Sequence, residues 1–159
     1  MPPAAFETTL LIAKPDAVQR GLVGEIVGRL ERKGLQLAGM KLVHVPRKLA
    51  EQHYAEHAGK GFFDGLIAFF TSAPVVVMAV RGVGSIAVCR TLIGATNGRL
   101  AAPGTIRGDL GLSGGHNLIH GSDSPESAER ELSLWFDDAE LIDYTSSSQG
   151  DVYDPSDLS

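Results

Sequence analysis

The apolar run PVVVMAV, which begins at Pro74, constrains the fold of this chain more than any other segment. Its four valines make it the segment richest in residues that favour a strand. The run is far too short to span a bilayer, which takes about 20 residues in a helix. We therefore expect the core to be built around a sheet whose central strand covers residues 74–82.

The order of the predicted elements indicates the fold class. We predict strands at 8–14, 35–45, 74–82 and 117–121. We predict helices at 21–34, 47–58, 61–71 and 84–93, a further helix that follows the last strand and ends at about 136, and a shorter one near 138–142. This order of strands and helices is typical of an α+β fold: a ferredoxin-like split βαβ with a four-stranded antiparallel sheet covered by helices. We expect those helices on one face of the sheet.

Length and composition limit the classes of protein to which the chain can belong. Its 159 residues fit one domain, 1–159, and 43% hydrophobic with 21% charged residues is ordinary for a soluble globular protein. The segment MPPAAFETT lacks the features of a secretory signal. A single cysteine, Cys89, excludes an internal disulfide and fits a reducing cytoplasm. A net charge of −5 argues against nucleic acid as the main ligand, and no apolar run suits a membrane span.

Two segments lack the periodicity of a helix or a strand. Residues 94–117 are rich in glycine, and a loop of this length inside a compact domain is usually functional or disordered. The tail, about 145–159, is polar and cannot build a core alone. We expect the tail to be disordered or to lie against a neighbouring subunit.

The segment NLIHGSDSPESAERE joins a short strand to residues that favour a helix start. His120 lies at the end of that strand, just before the helix N-terminus, where unpaired N–H groups and the helix dipole favour an anion. Two caps are compatible with the residues: Ser124 followed by Pro125, or a capping box of Asp123 with Glu126. Either cap places His120 beside the N-terminus of the helix.

Glu131 lies on the apolar face of the helix that follows. It comes three residues after Ala128 and four before Trp135, both of which are predicted core positions. A carboxylate on that face costs several kcal/mol unless it has a partner, and His120 and Ser122 are the nearest candidates. Two interpretations stay open from these residues: a carboxylate that orients a reactive imidazole, or a structural His–Glu pair.

Hydrogen-bond donors suited to phosphate surround the glycine-rich loop. Arg107 lies between two glycines in PGTIRGD, where backbone can approach a ligand closely. Lys14 ends the first strand, and the loop region also carries Arg90, Thr96 and Asn117. Together these donors suit a polyphosphate, whereas each one taken singly is better explained as a solvated surface residue.

The motif HYAEH, residues 53–57, matches the His-x-x-Glu-His pattern of some zinc peptidases. The match is short and no third ligand is apparent, which disfavours a zinc site. Tyr54 is the better functional candidate of this segment, because a phenol can donate to phosphate. The segment GLVGEIVG does not fit the Rossmann pattern, and the P-loop pattern is absent.

Several motifs of the chain resemble those of the nucleoside diphosphate kinases, in that family's order and spacing. NLIHGSDSPESAERE looks like the family's active-site signature, and further matches are AKPDAVQRGLVGEI, HYAEH followed by FF, APVVVMAV, IGATN and PGTIRGD. The resemblance extends from about Thr8 to Tyr144. It implies that His120 takes the γ-phosphate from a nucleoside triphosphate, mainly ATP, and passes it to a nucleoside diphosphate in a ping-pong reaction.

The same resemblance implies further roles by position. The phosphate and ribose contacts would be Lys14, Tyr54, Arg90, Thr96, Arg107 and Asn117. Phe62 would stack on the base, Leu66 would line the same cleft, and Ser122 and Glu131 would support the histidine. Mg²⁺ would arrive bound to the nucleotide phosphates, so no metal ligands are expected from the protein.

The resemblance also implies a homo-oligomer that binds nucleoside di- and triphosphates, and the extended tail favours a hexamer over a tetramer. Gly61 and Gly98 stand where proline is common in the family, and His116 replaces a common arginine. We expect these departures to affect oligomer stability more than activity. A nucleotide-binding regulatory protein on the same fold is the alternative. Loss of His120 or Lys14 would favour it, and both are present.

Overall fold

The computed structural model describes residues 4–159 and contains a four-stranded antiparallel sheet. Its strands are β1 (Phe6–Ala13), β2 (Gln36–Val43), β3 (Val75–Val83) and β4 (Ile119–Gly121), in the order β2-β3-β1-β4. Every neighbouring pair is antiparallel. The predicted ferredoxin-like sheet is confirmed. The first three residues of MPPAAFETT lie outside the described residues.

Eight α-helices connect and cover the strands over residues 4–159. They are α1 (Pro15–Gln19), α2 (Val23–Lys33), α3 (Arg47–His53), α4 (Phe63–Phe70), α5 (Ser85–Ile93), α6 (Ile106–Leu110), α7 (Pro125–Trp135) and α8 (Gln149–Val152), with 3₁₀ turns at Ala55–His57, Asp138–Glu140 and Pro155–Leu158. Helix α6 lies within the segment predicted as a glycine-rich loop. Across this described part of the chain, no helix combines the length and apolar character that crossing a membrane requires.

Helices cover both faces of the sheet, so the expectation of helices on one face is wrong. Leu11 of β1 belongs to one core together with Leu30 of α2. Leu10 belongs to a second core, together with Phe70 of α4 and Trp135 of α7. Successive strand side chains point to opposite faces. Because the LLIA segment of β1 is apolar at every position, both faces must be covered.

Local signals set where two helices begin and end. Helix α2 is capped at its C-terminus by Gly34, whose φ of 103° is a left-handed conformation that glycine adopts without strain. Helix α7 begins after Ser124, whose Oγ accepts a hydrogen bond from the backbone N–H of Ser127 at 3.1 Å. The Ser124 cap is therefore confirmed, and the alternative capping box of Asp123 with Glu126 is wrong.

The polar tail packs on its own chain, so the expectation of a disordered tail is wrong. A contact of the tail with a neighbouring subunit stays a prediction. The hydroxyl of Tyr153 accepts a hydrogen bond from the backbone N–H of Val83 at 3.1 Å. Its ring meets Phe6 edge-on, with 6.4 Å between centroids. Val152 fills the space beside Gly34, where a β-carbon would lie 2.8 Å from its Cγ1 atom. A few apolar and hydrogen-bonding side chains thus hold an otherwise polar segment.

The contact between the tail and the sheet can be tested at Gly82. A β-carbon there would lie 2.9 Å from the Tyr153 hydroxyl and 2.9 Å from Cδ2 of Leu35. We expect Gly82→Ala to lower the free energy of unfolding by about 1–3 kcal/mol, because close-packed sites resist added volume. The loss should be smaller in a Tyr153→Phe background, measured by urea unfolding as a double-mutant cycle. Additive losses would contradict this packing of the tail.

Candidate active site

The candidate site lies around β4 and the helix that follows it. His120 is the middle residue of β4 and pairs with Ile12 of β1. Its side chain is 20% exposed, so the imidazole is accessible but largely enclosed. Helix α7 begins four residues after β4, and it places the carboxylate of Glu131 in contact with the imidazole of His120. The structure brings together His120, Ser122 and Glu131, as the sequence predicts.

The carboxylate of Glu131 is buried and has two partners on one oxygen. Only 4% of the residue is exposed. Oε1 accepts a hydrogen bond from Oγ of Ser122 at 2.9 Å and lies 2.6 Å from Nε2 of His120. Because an ionised carboxylate only accepts, this contact assigns the His120 proton to Nε2. Nδ1 then keeps its lone pair, which is free to bond an electrophile.

His53 lies beside His120, a placement that the pattern of its own segment does not indicate. The two ring centroids are 4.6 Å apart and the rings are nearly perpendicular, at 80°. Nε1 of Trp135 donates a hydrogen bond to Nδ1 of His53 at 3.0 Å, and the ring stacks on Phe70. Burial, followed by the charges of nearby side chains, lowers the pKa of His53 to about 2. His53 is therefore a neutral group at physiological pH.

The course of helix α3 explains two findings. The position of His53 in the site could not be predicted from its spacing, and the HYAEH motif does not form a zinc site. His53 follows Ala50 by one turn and both are buried, so its spacing is that of an ordinary core residue. The helix ends at His53, and His57 lies in the following 3₁₀ turn. The ligand atoms that do converge, within 4.8 Å of one another, belong to His53, His120 and Glu131. The described residues do not support a site formed by His53 and His57.

Lys14 and Asn117 form a partly buried pair at the edge of the site. Nζ of Lys14 donates a hydrogen bond to Oδ1 of Asn117 at 2.8 Å. Nδ2 of Asn117 donates to the carbonyl oxygens of Thr96 and Gly114, at 3.0 and 2.9 Å. Burial, followed by the charge of Arg107, lowers the pKa of Lys14 to about 8. A negative charge arriving beside this ammonium would stabilise it.

Arg107 is buried and holds the glycine-rich loop against β4. Its guanidinium donates hydrogen bonds to the carbonyl oxygens of Asn117, Gly94 and Ile119, at 3.0, 3.2 and 2.6 Å. Burial, followed by the charge of Arg90, lowers the pKa of Arg107 to about 10. A buried guanidinium that lies close to a second cation is an environment that favours an anion.

The backbone at Leu118 is strained. Its φ of 74° is the single positive value among non-glycine residues 4–159. The left-handed conformation costs about 1–2 kcal/mol for a residue with a β-carbon. Its N–H donates to Oδ2 of Asp16 at 3.1 Å, and its carbonyl accepts from the N–H of Lys14 at 2.8 Å. This conformation presents the carbonyl groups on either side of Leu118 to Arg107.

Arg90 and Thr96 differ in how directly they join the site. Nη1 of Arg90, on α5, donates a hydrogen bond at 3.3 Å to the carbonyl of Gly121, next to His120. Thr96 is exposed, and its contact with the site is the hydrogen bond that its carbonyl accepts from Asn117. Arg90 therefore lies at the site by direct contact, and Thr96 lies beside it through the amide of Asn117.

The hydroxyl of Tyr54 is buried and has no hydrogen-bond partner among residues 4–159. Burial, followed by the charge of Glu131, raises its pKa, so the group is a protonated donor. An unsatisfied buried donor costs about 1–3 kcal/mol. The ring is held by edge-on contacts with His53 and Phe70, at centroid distances of 4.6 and 5.1 Å. A donor fixed without a partner is suited to receive a ligand.

An apolar cleft with a volume of about 430 Å³ lies between α4 and the segment before β4. Phe62 and Leu66 both line it, as the family resemblance implies. Phe62 is 56% exposed, which leaves one aromatic ring accessible to a planar ligand. The remaining lining is formed by Gly61, Gly65, Phe69, Gly115 and His116. His116 packs against Phe69, with 4.5 Å between ring centroids.

The sequence matches a protein family over most of its length. The model of the nucleoside diphosphate kinase family matches residues 7–141. The nucleoside diphosphate kinase of Staphylococcus epidermidis is 57% identical over 149 residues, covering 94% of this chain and 100% of that protein. The nucleoside diphosphate kinase of Archaeoglobus fulgidus is 55% identical over 149 residues, covering 94% and 99% of the two proteins.

Solved structures agree with these matches. A halophilic nucleoside diphosphate kinase from Halobacterium salinarum, in complex with CDP, has a TM-score of 0.92 and 51% identity, and 94% of this chain and 99% of that one are covered. A transition-state mimic of nucleoside-diphosphate kinase from Borrelia burgdorferi, with bound vanadate and ADP, has a TM-score of 0.86 and 38% identity, with coverage of 92% and 96%. The chain belongs to the nucleoside diphosphate kinase family and is a phosphotransferase.

Proposed function

We propose that this nucleoside diphosphate kinase transfers phosphate in two half-reactions, through a phosphohistidine on Nδ1 of His120. The 2.6 Å contact between Nε2 of His120 and Glu131 carries this proposal. It assigns the ring proton to Nε2 and leaves the lone pair of Nδ1 for attack. A donor such as ATP and an acceptor nucleoside diphosphate would occupy the same site in turn.

The chemistry follows from the charges around the imidazole. In the first half-reaction the lone pair of Nδ1 forms a bond to the γ-phosphorus, as the bond from that phosphorus to the β-phosphate oxygen breaks. The nucleoside diphosphate leaves with that electron pair. The ring keeps its proton on Nε2 and becomes positively charged, and the carboxylate of Glu131 stabilises that charge. The second half-reaction reverses these steps with a different diphosphate.

The phosphate groups would be bound by the donors that converge near β4. We assign the contacts with the phosphates and the ribose to Lys14, Tyr54, Arg90, Thr96, Arg107 and Asn117. Burial lowers the pKa of Lys14 and of Arg107, so both groups gain from a bound polyanion. Mg²⁺, when it binds with the nucleotide, neutralises phosphate charge. The cationic and neutral donors assigned here suit a metal that arrives on the phosphates and is not held by carboxylates.

The nucleoside would enter the apolar cleft of α4. Phe62 offers an exposed ring on which a base can stack, and Leu66 lies beside it in the cleft wall. Every base has a π-face, so stacking without hydrogen bonds to base edges tolerates all of them. This arrangement supports broad use of nucleotides and agrees with a role in balancing different nucleoside triphosphates.

We further propose that the chain works as a homo-oligomer in the cytoplasm. Leu100 and Leu112 of the glycine-rich region are 74% and 82% exposed, and a subunit contact would remove these side chains from water. Gly98 packs closely on Gly111, where a β-carbon would lie 2.6 Å from the carbonyl carbon. We favour a hexamer, with a tetramer as the alternative, because the outer surface of the extended tail stays available to a neighbouring subunit.

A phosphoenzyme assay tests the function directly. We expect the protein, mixed with γ-labelled ATP and Mg²⁺, to form an acid-labile, base-stable phosphoprotein that discharges onto GDP. His120→Ala should abolish the label because it removes the attacking nitrogen. His44→Ala is the matched control, since His44 is exposed at the end of β2. Absence of label on the wild type would indicate a nucleotide-binding regulatory protein, and label on His120→Ala would assign the wrong histidine.

Glu131→Gln tests the supporting carboxylate. The amide keeps the size of the side chain but cannot balance the charge of the imidazolium, so we expect kcat to fall by about 100-fold with little change in KM. Glu129→Gln, on the exposed face of the same helix, should leave both values unchanged. Steady-state kinetics with ATP and GDP measure the effect. If both substitutions changed kcat equally, the proposed role of Glu131 in the reaction would be wrong.

Tyr54→Phe tests the buried phenol. Because no group of residues 4–159 forms a hydrogen bond with its hydroxyl, we expect the free protein to be as stable as the wild type or more stable. Loss of a hydrogen bond to a phosphate should lower kcat/KM by about 10-fold to 100-fold. Tyr144→Phe is the control. Its hydroxyl donates a hydrogen bond to the carbonyl of Leu37, so we expect this substitution to lower stability and to leave kcat/KM unchanged. Unchanged kcat/KM in Tyr54→Phe would contradict the assigned contact.

A further inference from the structure

Two histidines lie side by side in the site, but their rings are hydrogen-bonded in opposite senses. Nε2 of His120 meets an acceptor, the carboxylate of Glu131. Nδ1 of His53 meets a donor, Nε1–H of Trp135, at 3.0 Å. An indole nitrogen can only donate a hydrogen bond. Nδ1 of His53 must therefore be the accepting nitrogen, and the proton of this neutral ring is on Nε2.

This direction of bonding limits what His53 can do. A metal-ligating histidine normally donates its second ring N–H to a carboxylate or a carbonyl, which leaves a lone pair on the ligating nitrogen. His53 has the reverse arrangement, because Trp135 occupies the lone pair and the other nitrogen carries hydrogen. The ring has no free lone pair for a metal ion or for phosphorus. This holds although its atoms lie within 4.8 Å of those of His120 and Glu131.

The packing holds this arrangement in place. Trp135 and His53 are both buried, and their ring centroids are 5.6 Å apart at 74°. Phe70 stacks on the imidazole with an interplanar angle of 4° and meets the indole edge-on at 6.0 Å. A flip of the His53 ring would leave the buried indole N–H without an acceptor, at a cost of about 1–3 kcal/mol.

We propose that Trp135 is a positioning residue that keeps His53 chemically inert. By occupying the one lone pair of that ring, it leaves His120 as the sole nucleophile of the pair and prevents His53, His120 and Glu131 from together binding a cation such as Zn²⁺. His53 then supports the His120 ring by edge-on packing alone. The assignment of His120 as nucleophile rests on the proposed function, whereas the exclusion of zinc does not.

Trp135→Phe tests the proposal, because it removes the N–H and keeps an aromatic ring. The proton of His53 is then free to move to Nδ1, and Nε2 gains a lone pair. Two imidazole nitrogens and one carboxylate oxygen form the ligand set of many catalytic zinc sites. We expect zinc affinity, measured by calorimetric titration of the nucleotide-free protein with Zn²⁺, to rise by about 10-fold to 100-fold over the wild type.

A double variant separates the imidazole from the change in packing. Trp135→Phe combined with His53→Phe lacks the indole N–H and the additional ligand, so its zinc affinity should return to that of the wild type. Equal zinc affinity in the wild type and in Trp135→Phe would overturn the proposal. So would tight zinc binding that persists in the double variant, because the site would then lie elsewhere.

Nitrogen NMR of the wild-type imidazoles provides a test that needs no variant. We expect His53 to carry its proton on Nε2 between about pH 5 and pH 8, the range in which an ordinary histidine titrates. A proton on Nδ1 of His53 would overturn the proposal even if Trp135→Phe failed to fold. Phosphoenzyme formation is measured separately. A failure of labelling on His120 would therefore count against the proposed function and not against the inert state of His53.

Discussion

The buried carboxylate of Glu131 is the interaction on which the rest of the site depends. Removing such a charge from water costs several kcal/mol unless partners stabilise it, and breaking a buried pair is strongly destabilising. Both partners, His120 and Ser122, come from β4 and the residue after it, and both contact the same oxygen. Helix α7 can therefore bury its apolar face only when β4 is in register. The same contacts therefore determine both the packing of α7 and the orientation of the His120 imidazole.

Around this satisfied centre, other polar groups are left incompletely satisfied. Burial, followed by the charge of a neighbouring guanidinium, lowers the pKa of Lys14 and of Arg107, and the hydroxyl of Tyr54 has no partner within the described residues. Leu118 holds a strained backbone conformation between them. Each feature opposes the stability of the free protein, and a bound polyanion relieves the electrostatic ones. Natural proteins commonly accept such costs at functional sites.

Features encoded locally could be predicted from the sequence, and those that depend on distant contacts could not. The strands, and the inward direction of Glu131, follow from the periodicity of neighbouring residues. The role of His53 depends on a contact between α3 and α7, so its own spacing indicates only a core position. The path of the tail depends on Gly34 and on β3. Phe62 was assigned by resemblance, because no local pattern distinguishes a base-stacking ring from other exposed aromatics.

The carbonyl contacts of Arg107 have a consequence for the protein as an assembly. One guanidinium holds the glycine-rich segment against β4 and is also assigned to the phosphates. The same segment carries Leu100 and Leu112 on its outer surface. A neighbouring subunit that held this segment in place would also hold the guanidinium of Arg107, to which the nucleotide phosphates would bind. Assembly and nucleotide affinity would then be thermodynamically linked, and each would strengthen the other by the same free energy.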